Sequence, residues 1–187
     1  MRAPRAVAGP GRTRAVRGAG SPPAPQAAAR AASATRFFGE RKRVELEDGR
    51  ELAVGVRLGT PADVGVLVEF NCRLAEESEG IVLDRDVVIQ GVANAIARDA
   101  GRYFLLDGDG EGGALGSLMI TYEWSDWRDG MVWWIQSVYV RREARNRGLF
   151  RHLYETVRAQ AAAEGARGVR LVSTCGRRAG RSGGGLT

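Results

Sequence analysis

The densest cluster of chemistry-bearing side chains is the stretch VYVRREARNRGLFRHLY, residues 138–154. Arg141, Arg142, Arg145, Arg147 and Arg151 surround one glycine, Gly148. Alternating apolar residues before them predict a strand, and the apolar spacing after Gly148 predicts a helix. The first turn of a helix exposes unpaired N–H groups at the positive end of the macrodipole, and such an end holds phosphate oxygens. Glycine lets the anion approach the backbone, and arginines beside it add charge-assisted donors. The junction therefore predicts a pyrophosphate cradle, although it is neither the GKS/T of a P-loop nor GxGxxG. A solvated basic loop is the alternative that the arginines alone leave open.

Other chemistries fall by counting. The cysteines are Cys72 and Cys175 and the only histidine is His152, so a disulfide framework and a Cys/His zinc site are excluded. Asp84/Asp86 and Asp107/Asp109 lack the ligand count of a calcium loop. A serine triad would need His152, which stands in the basic helix start. His152 is expected at the surface, and Cys72 as a small buried apolar group.

The net charge of +6 is unevenly spread. Residues 1–43 hold ten basic residues and one acid, and residues 174–187 three arginines and no acid. Residues 44–173 hold 15 basic and 21 acidic residues, a net of −6. An acidic body favours cationic small substrates over nucleic acid. The basic arm lacks interleaved aromatics, which also argues against a nucleic-acid partner. No apolar run approaches a membrane span, and no membrane partner is expected.

These residues need a scaffold. Residues 1–43 are expected to be a disordered Ala/Arg/Pro-rich arm, because the segment 1–36 cannot bury enough surface to offset its chain entropy. An organellar transit peptide and an early start codon are equal readings of it; a cytoplasmic location is otherwise expected. Asp48-Gly49 predicts a hairpin over 44–54, with a core strand continuing to residue 58. Thr60, Pro61 and Asp63 predict a helix start. Residues 64–75 keep helical spacing, with Val64, Leu67, Val68, Cys72 and Leu74/Ala75 as the apolar set. A second helix is predicted over 84–99, with Val87, Val88, Val92, Ala95 and Ile96 inward. Strands follow at 102–106, 114–122 and 131–140, then a helix at 149–163 and a strand at 168–173. The order is β-α-α-β-β-β-α-β, an α/β domain with a largely antiparallel sheet over 44–173.

At this point the chain resembles the GNAT superfamily of N-acyltransferases. Their signature sets R/Q-x-x-G-x-G/A directly after a central strand. Here Arg145-Asn146-Arg147-Gly148-Leu149-Phe150 occupies the motif, behind Val138-Tyr139-Val140. The element order matches over residues 54–173. The resemblance implies a GNAT-like mixed, largely antiparallel sheet flanked by helices. It implies acetyl transfer from acetyl-CoA to an amine, on a small molecule or a peptide. The N–H groups from Arg145 to Phe150 would bind the pyrophosphate, and the backbone of Val138 and Val140 would pair with the pantetheine arm. Attack by a neutral amine then needs a base, an oxyanion donor and an acid for the thiolate.

Glu123, between Tyr122 and Trp124, could take the amine proton; a solvated loop acid is the plainer reading. Gln136 is expected to pair across the sheet. Alternation sends Trp133 and Trp134 to opposite faces, so Trp124 and Trp127, in a polar turn, are the expected substrate wall. Phe150 stands where the family has Gly or Ala, and its ring must point away from the phosphates. The family continues into an Asn-containing turn, a helix bearing a Tyr, and further strands. This chain instead runs TCGRRAGRSGGGLT over 174–187, an expected disordered tail read as an out-of-frame translation of a longer domain. An acyl-CoA-binding module of weak or no activity is therefore one rival reading, and nucleic-acid binding through the arm another. An unfinished sheet edge after Val172 could pair with a second copy as a homodimer.

Overall fold

Six strands form one mixed sheet in the order β1-β2-β3-β4-β5-β6, in a computed structural model that describes residues 37–109 and 113–171. The strands are β1 (Phe37–Glu45), β2 (Glu51–Leu58), β3 (Arg102–Gly108), β4 (Gly113–Ser125), β5 (Gly130–Val140) and β6 (Gly168–Leu171). Every neighbouring pair is antiparallel except β5 and β6, which run parallel. The helices are α1 (Val64–Glu79), α2 (Arg85–Ala97) and α3 (Leu149–Ala163).

Local chemistry sets the helix limits. Ahead of α1, Thr60 donates its N–H and hydroxyl to Asp63 Oδ2 at 2.8 and 2.7 Å, and Pro61–Asp63 form a single 3-10 turn. Gly80, at φ 69°, ends α1 in the left-handed conformation. Asp84 caps α2 by accepting from the N–H groups of Asp86 and Val87.

The strands' alternation divides the core in two. On one face Phe104, Leu106, Leu118, Ile120, Trp133 and Ile135 pack against Leu149, Leu153, Val157 and Ala161 of α3. On the other, Tyr103 and Leu105 meet Leu67 and Val68 of α1 and Val92 of α2. Two largely buried arginines tie elements together through ion pairs. Arg57 of β2 donates to Asp107 of β3 at 2.5 Å and to Asp63 at 2.8 and 2.9 Å. Arg102, 8% exposed, donates from Nη1 to both oxygens of Glu164, just past α3, at 2.6 and 2.8 Å.

The β5/β6 pairing is short. Only Val132 to Ile135 match Gly168 to Leu171. On the β4 side, Met119 faces Ser137 while Ile120 faces Ile135, so Gln136 is one extra residue. Such a bulge bends a strand. Beyond it, residues 136–140 have no strand partner on the β6 side among the described residues.

The expected α/β fold stands, with α3 at its expected limits. Three details are corrected. Residues 37–43, assigned to the arm, belong to β1, because Phe37, Phe38 and Val44 find partners on β2 and in the core. The first arm of the expected hairpin over 44–54 thus extends back to Phe37 and counts as a full strand. Val87, expected inward, is 66% exposed, and Phe70, omitted from the apolar set of α1, is 1% exposed. The segments 1–36 and 172–187, with the arm, the end of the last strand and the tail, lie outside the described residues.

Burial raises the Asp63 pKa, but hydrogen bonds from Arg57 and Thr60 outweigh it and hold the carboxyl below its ordinary value. Its stabilisation is therefore present above the unfolded pKa of about 3.9 and lost as pH falls through the lower folded value. Asp63→Asn should cost about 1–3 kcal/mol at neutral pH. In thermal melts the gap from wild type should close as pH falls below about 4.

Candidate active site

Between β5 and α3 the chain makes a strained loop. Arg141 N–H donates to Leu115 O at 2.8 Å, a 3-10 turn spans Arg142–Ala144, and Arg145 is extended. Asn146 (φ 61°) and Gly148 (φ 70°) then both take left-handed geometry. That region is costly for an L-residue and open to glycine. Gly148 is the N-cap of α3, and no side chain caps the helix there. The first-turn N–H groups thus lack a side-chain partner, as an anion site requires.

Arginines of the loop turn toward the protein. Arg145 donates to Glu77 Oε2 at 2.7 Å and to the Val140 carbonyl at 2.8 Å. Arg142 and the Tyr139 hydroxyl donate to Glu77 Oε1 at 3.1 and 3.2 Å. The bond from Arg145 is the largest cause holding the Glu77 carboxyl below its ordinary pKa; that from Arg142 adds to it. Glu77 on α1 is therefore the latch of the loop. Sequence reasoning missed it, because α1 carries four glutamates that look alike. The latch borders a cleft of ≈ 700 Å³ between α1, Arg85 and Arg142.

Each candidate binding residue has a definite place. Val138 and Val140 pack against the α3-side core, and Tyr139 turns the other way onto Phe70, ring centroids 5.2 Å apart. All three lie on the stretch of β5 that has no β6 partner among the described residues. The Val140 carbonyl is already engaged by Arg145. Leu149 is buried, Arg147 is exposed, and the Phe150 ring, 44% exposed, stacks on Tyr154 one helical turn on. His152, expected at the surface, is half-buried, and its Nε2 has no hydrogen-bond partner among the described residues. Burial, then the Lys42 charge, pushes its pKa down.

A second group gathers on the α1/α2 side of the sheet, beside the paired segment of β5 and β6. Glu123 lies within β4, not in a loop, and accepts from Arg170 of β6 at 3.3 Å. The Arg170 guanidinium lies 5.3 Å from the centroid of the Trp134 ring. Gln136 Nε2 donates to Thr121 Oγ1 at 2.8 Å, the cross-strand contact expected of it. The tryptophan expectation changes. Tyr122 packs edge-on against Trp133 on the α3 face, so Trp124, two residues on, shares that face and turns away from Glu123. Trp127 is 94% exposed in the β4–β5 turn. Trp134 is the ring that stands with the Glu123–Arg170 pair.

The comparisons fit this geometry. A family model described as the acetyltransferase (GNAT) family matches residues 69–180. The chain belongs to the GNAT acetyltransferase family. A possible acetyltransferase from Clostridium difficile 630 is 34% identical, with a TM-score of 0.61 over 67% of this chain and 82% of that one. An integron cassette protein from the mobile metagenome of Cole Harbour Salt Marsh is 25% identical, with a TM-score of 0.58 over 65% and 85% of the two chains. A predicted acetyltransferase from Clostridium acetobutylicum, solved with acetyl-CoA, shares the fold at 15% identity and a TM-score of 0.55, over 65% and 82%. A search of curated proteins returned no match. GNAT enzymes use acetyl-CoA, and the GNAT loop motif of this chain is the segment that Glu77 pins.

Glu77→Gln should leave the sheet intact and loosen the loop. Hydrogen exchange of the amides at 145–150 should accelerate, with those of β3 and β4 unchanged.

Proposed function

We propose that this GNAT chain transfers an acetyl group from acetyl-CoA to an amine of a small molecule or peptide. The observation that carries the reading is a juxtaposition: the α3 N-terminus at Gly148, which no side chain caps, lies just past the β5 edge that has no partner strand among the described residues. A phosphate-bearing head and an extended amide arm fit those two features in series. The Clostridium acetobutylicum relative, solved with acetyl-CoA, supports the same ligand.

The residues fit that group. Positive φ at Asn146 and Gly148 bends the loop around its own N–H groups, the geometry of an anion-binding nest. The N–H groups from Arg145 to Phe150 would hold the pyrophosphate. The exposed edge around Val138 and Val140 would pair with the pantetheine amides as an added strand. When bound, acetyl-CoA supplies an activated thioester carbonyl. Glu123 takes the proton of the incoming ammonium, directly or through one water. Thr121 and Gln136 orient the amine beside it, and Trp134 walls the acceptor side. The acidic body favours a cationic acceptor.

One observation favours a second reading, a coenzyme-binding module of slow turnover. Arg170 already engages Glu123 at 3.3 Å, which competes with its service as base.

Two variants test the roles. Gly148→Glu sets a carboxylate against the phosphates and should abolish coenzyme A binding in calorimetry, with the fold intact by circular dichroism. Binding equal to wild type would remove the loop from the site. Glu123→Gln should bind coenzyme A as wild type does and lower turnover of an amine panel by about 100-fold. Unchanged turnover would remove Glu123 from the chemistry.

A further inference from the structure

We propose that Lys42, reaching across from β1, is a direct ligand of the coenzyme pyrophosphate; this rests on the cofactor reading above. Lys42 is the only lysine in the chain, and it lies upstream of the segment that the family model matches. It stands two residues before Val44, which is buried in the core shared with α3, so alternation turns Lys42 toward α3 too. Its Nζ donates to the Gly148 carbonyl at 3.3 Å. A Cβ built on Gly148 would lie 2.5 Å from that Nζ. Glycine at this position thus serves twice: it accepts the left-handed backbone and leaves room for the ammonium.

The placement is electrostatically unfavourable without an anion. Cations are stabilised at helix C-termini, and Lys42 sits at the positive end of α3, whose first turn holds no acid. Of the other cations nearby, Arg142 and Arg145 are matched by Glu77 and Arg151 by Glu155, while Arg147 is exposed to solvent. Lys42 is half-buried and makes no ion pair within 4.0 Å among the described residues. An ammonium held beside a helix N-terminus favours a neighbouring anion. A pyrophosphate held by the loop N–H groups would bring its charge to that place. The rival role is purely structural, with Lys42 tying β1 to α3 through the Gly148 carbonyl.

The test is calorimetry on the full chain with coenzyme A and with 3′-dephospho-coenzyme A, at low and high salt. Lys42→Met should bind both about tenfold more weakly than wild type, the loss of one charge-assisted contact. Lys42→Arg should restore most of the affinity, and the salt dependence should be shallower for Lys42→Met than for wild type. Thermal melts establish that the variants fold, and Lys42→Gln carries the same comparison if Lys42→Met does not. Lys42→Met or Lys42→Gln binding coenzyme A as tightly as wild type would overturn the inference and leave the cofactor reading standing. A loss confined to coenzyme A and absent with the dephospho form would overturn the pyrophosphate assignment. A wild-type chain that binds neither ligand would overturn the cofactor reading itself, and this inference with it.

Discussion

The site depends on one departure from regular pairing. A sheet is stable when each strand satisfies the N–H and C=O groups of its neighbour. Here β6 matches only four residues of β5, and the extra residue Gln136 bends β5 where the match ends. Among the described residues the rest of β5 has no partner strand on that side, and backbone left so must find water or a ligand. The GNAT loop motif follows directly from that stretch, and the Glu123–Arg170 pair stands toward its other end.

Charge placement follows from the same geometry. A loop rich in arginine would repel itself and the positive end of α3. Glu77 relieves this by taking Arg142 and Arg145, which also fastens the loop to α1. Arg142 and Arg145 are thereby used for positioning, and in our proposal phosphate recognition falls to backbone N–H groups and to Lys42. The same economy appears in the scaffold: Arg57 joins two strands to the start of α1, and Arg102 joins β3 to the end of α3. The Arg57 and Arg102 guanidiniums are largely buried and paired with carboxylates, although Arg102 Nε has no hydrogen-bond partner among the described residues.

Local features were legible in the sequence. The Thr60/Asp63 start of α1, the limits of α3 and the Gly148 junction depend on residues a few positions apart, through dihedral preference, capping and apolar period. So did the class of fold and the family, because the succession of elements is itself written in order along the chain. Tertiary structure alone decided the rest. Lys42 meets Gly148 across 106 residues, and Arg145 meets Glu77 across 68. Nothing in the composition of 37–43 marks it as a strand, since its partner lies on β2 and its support on α3. The bulge at Gln136 and the face taken by Trp124 depend on register, where a slip of one residue exchanges the two faces of a strand. Periodicity reports that a strand has two faces; only the packed neighbours decide which of them holds the chemistry.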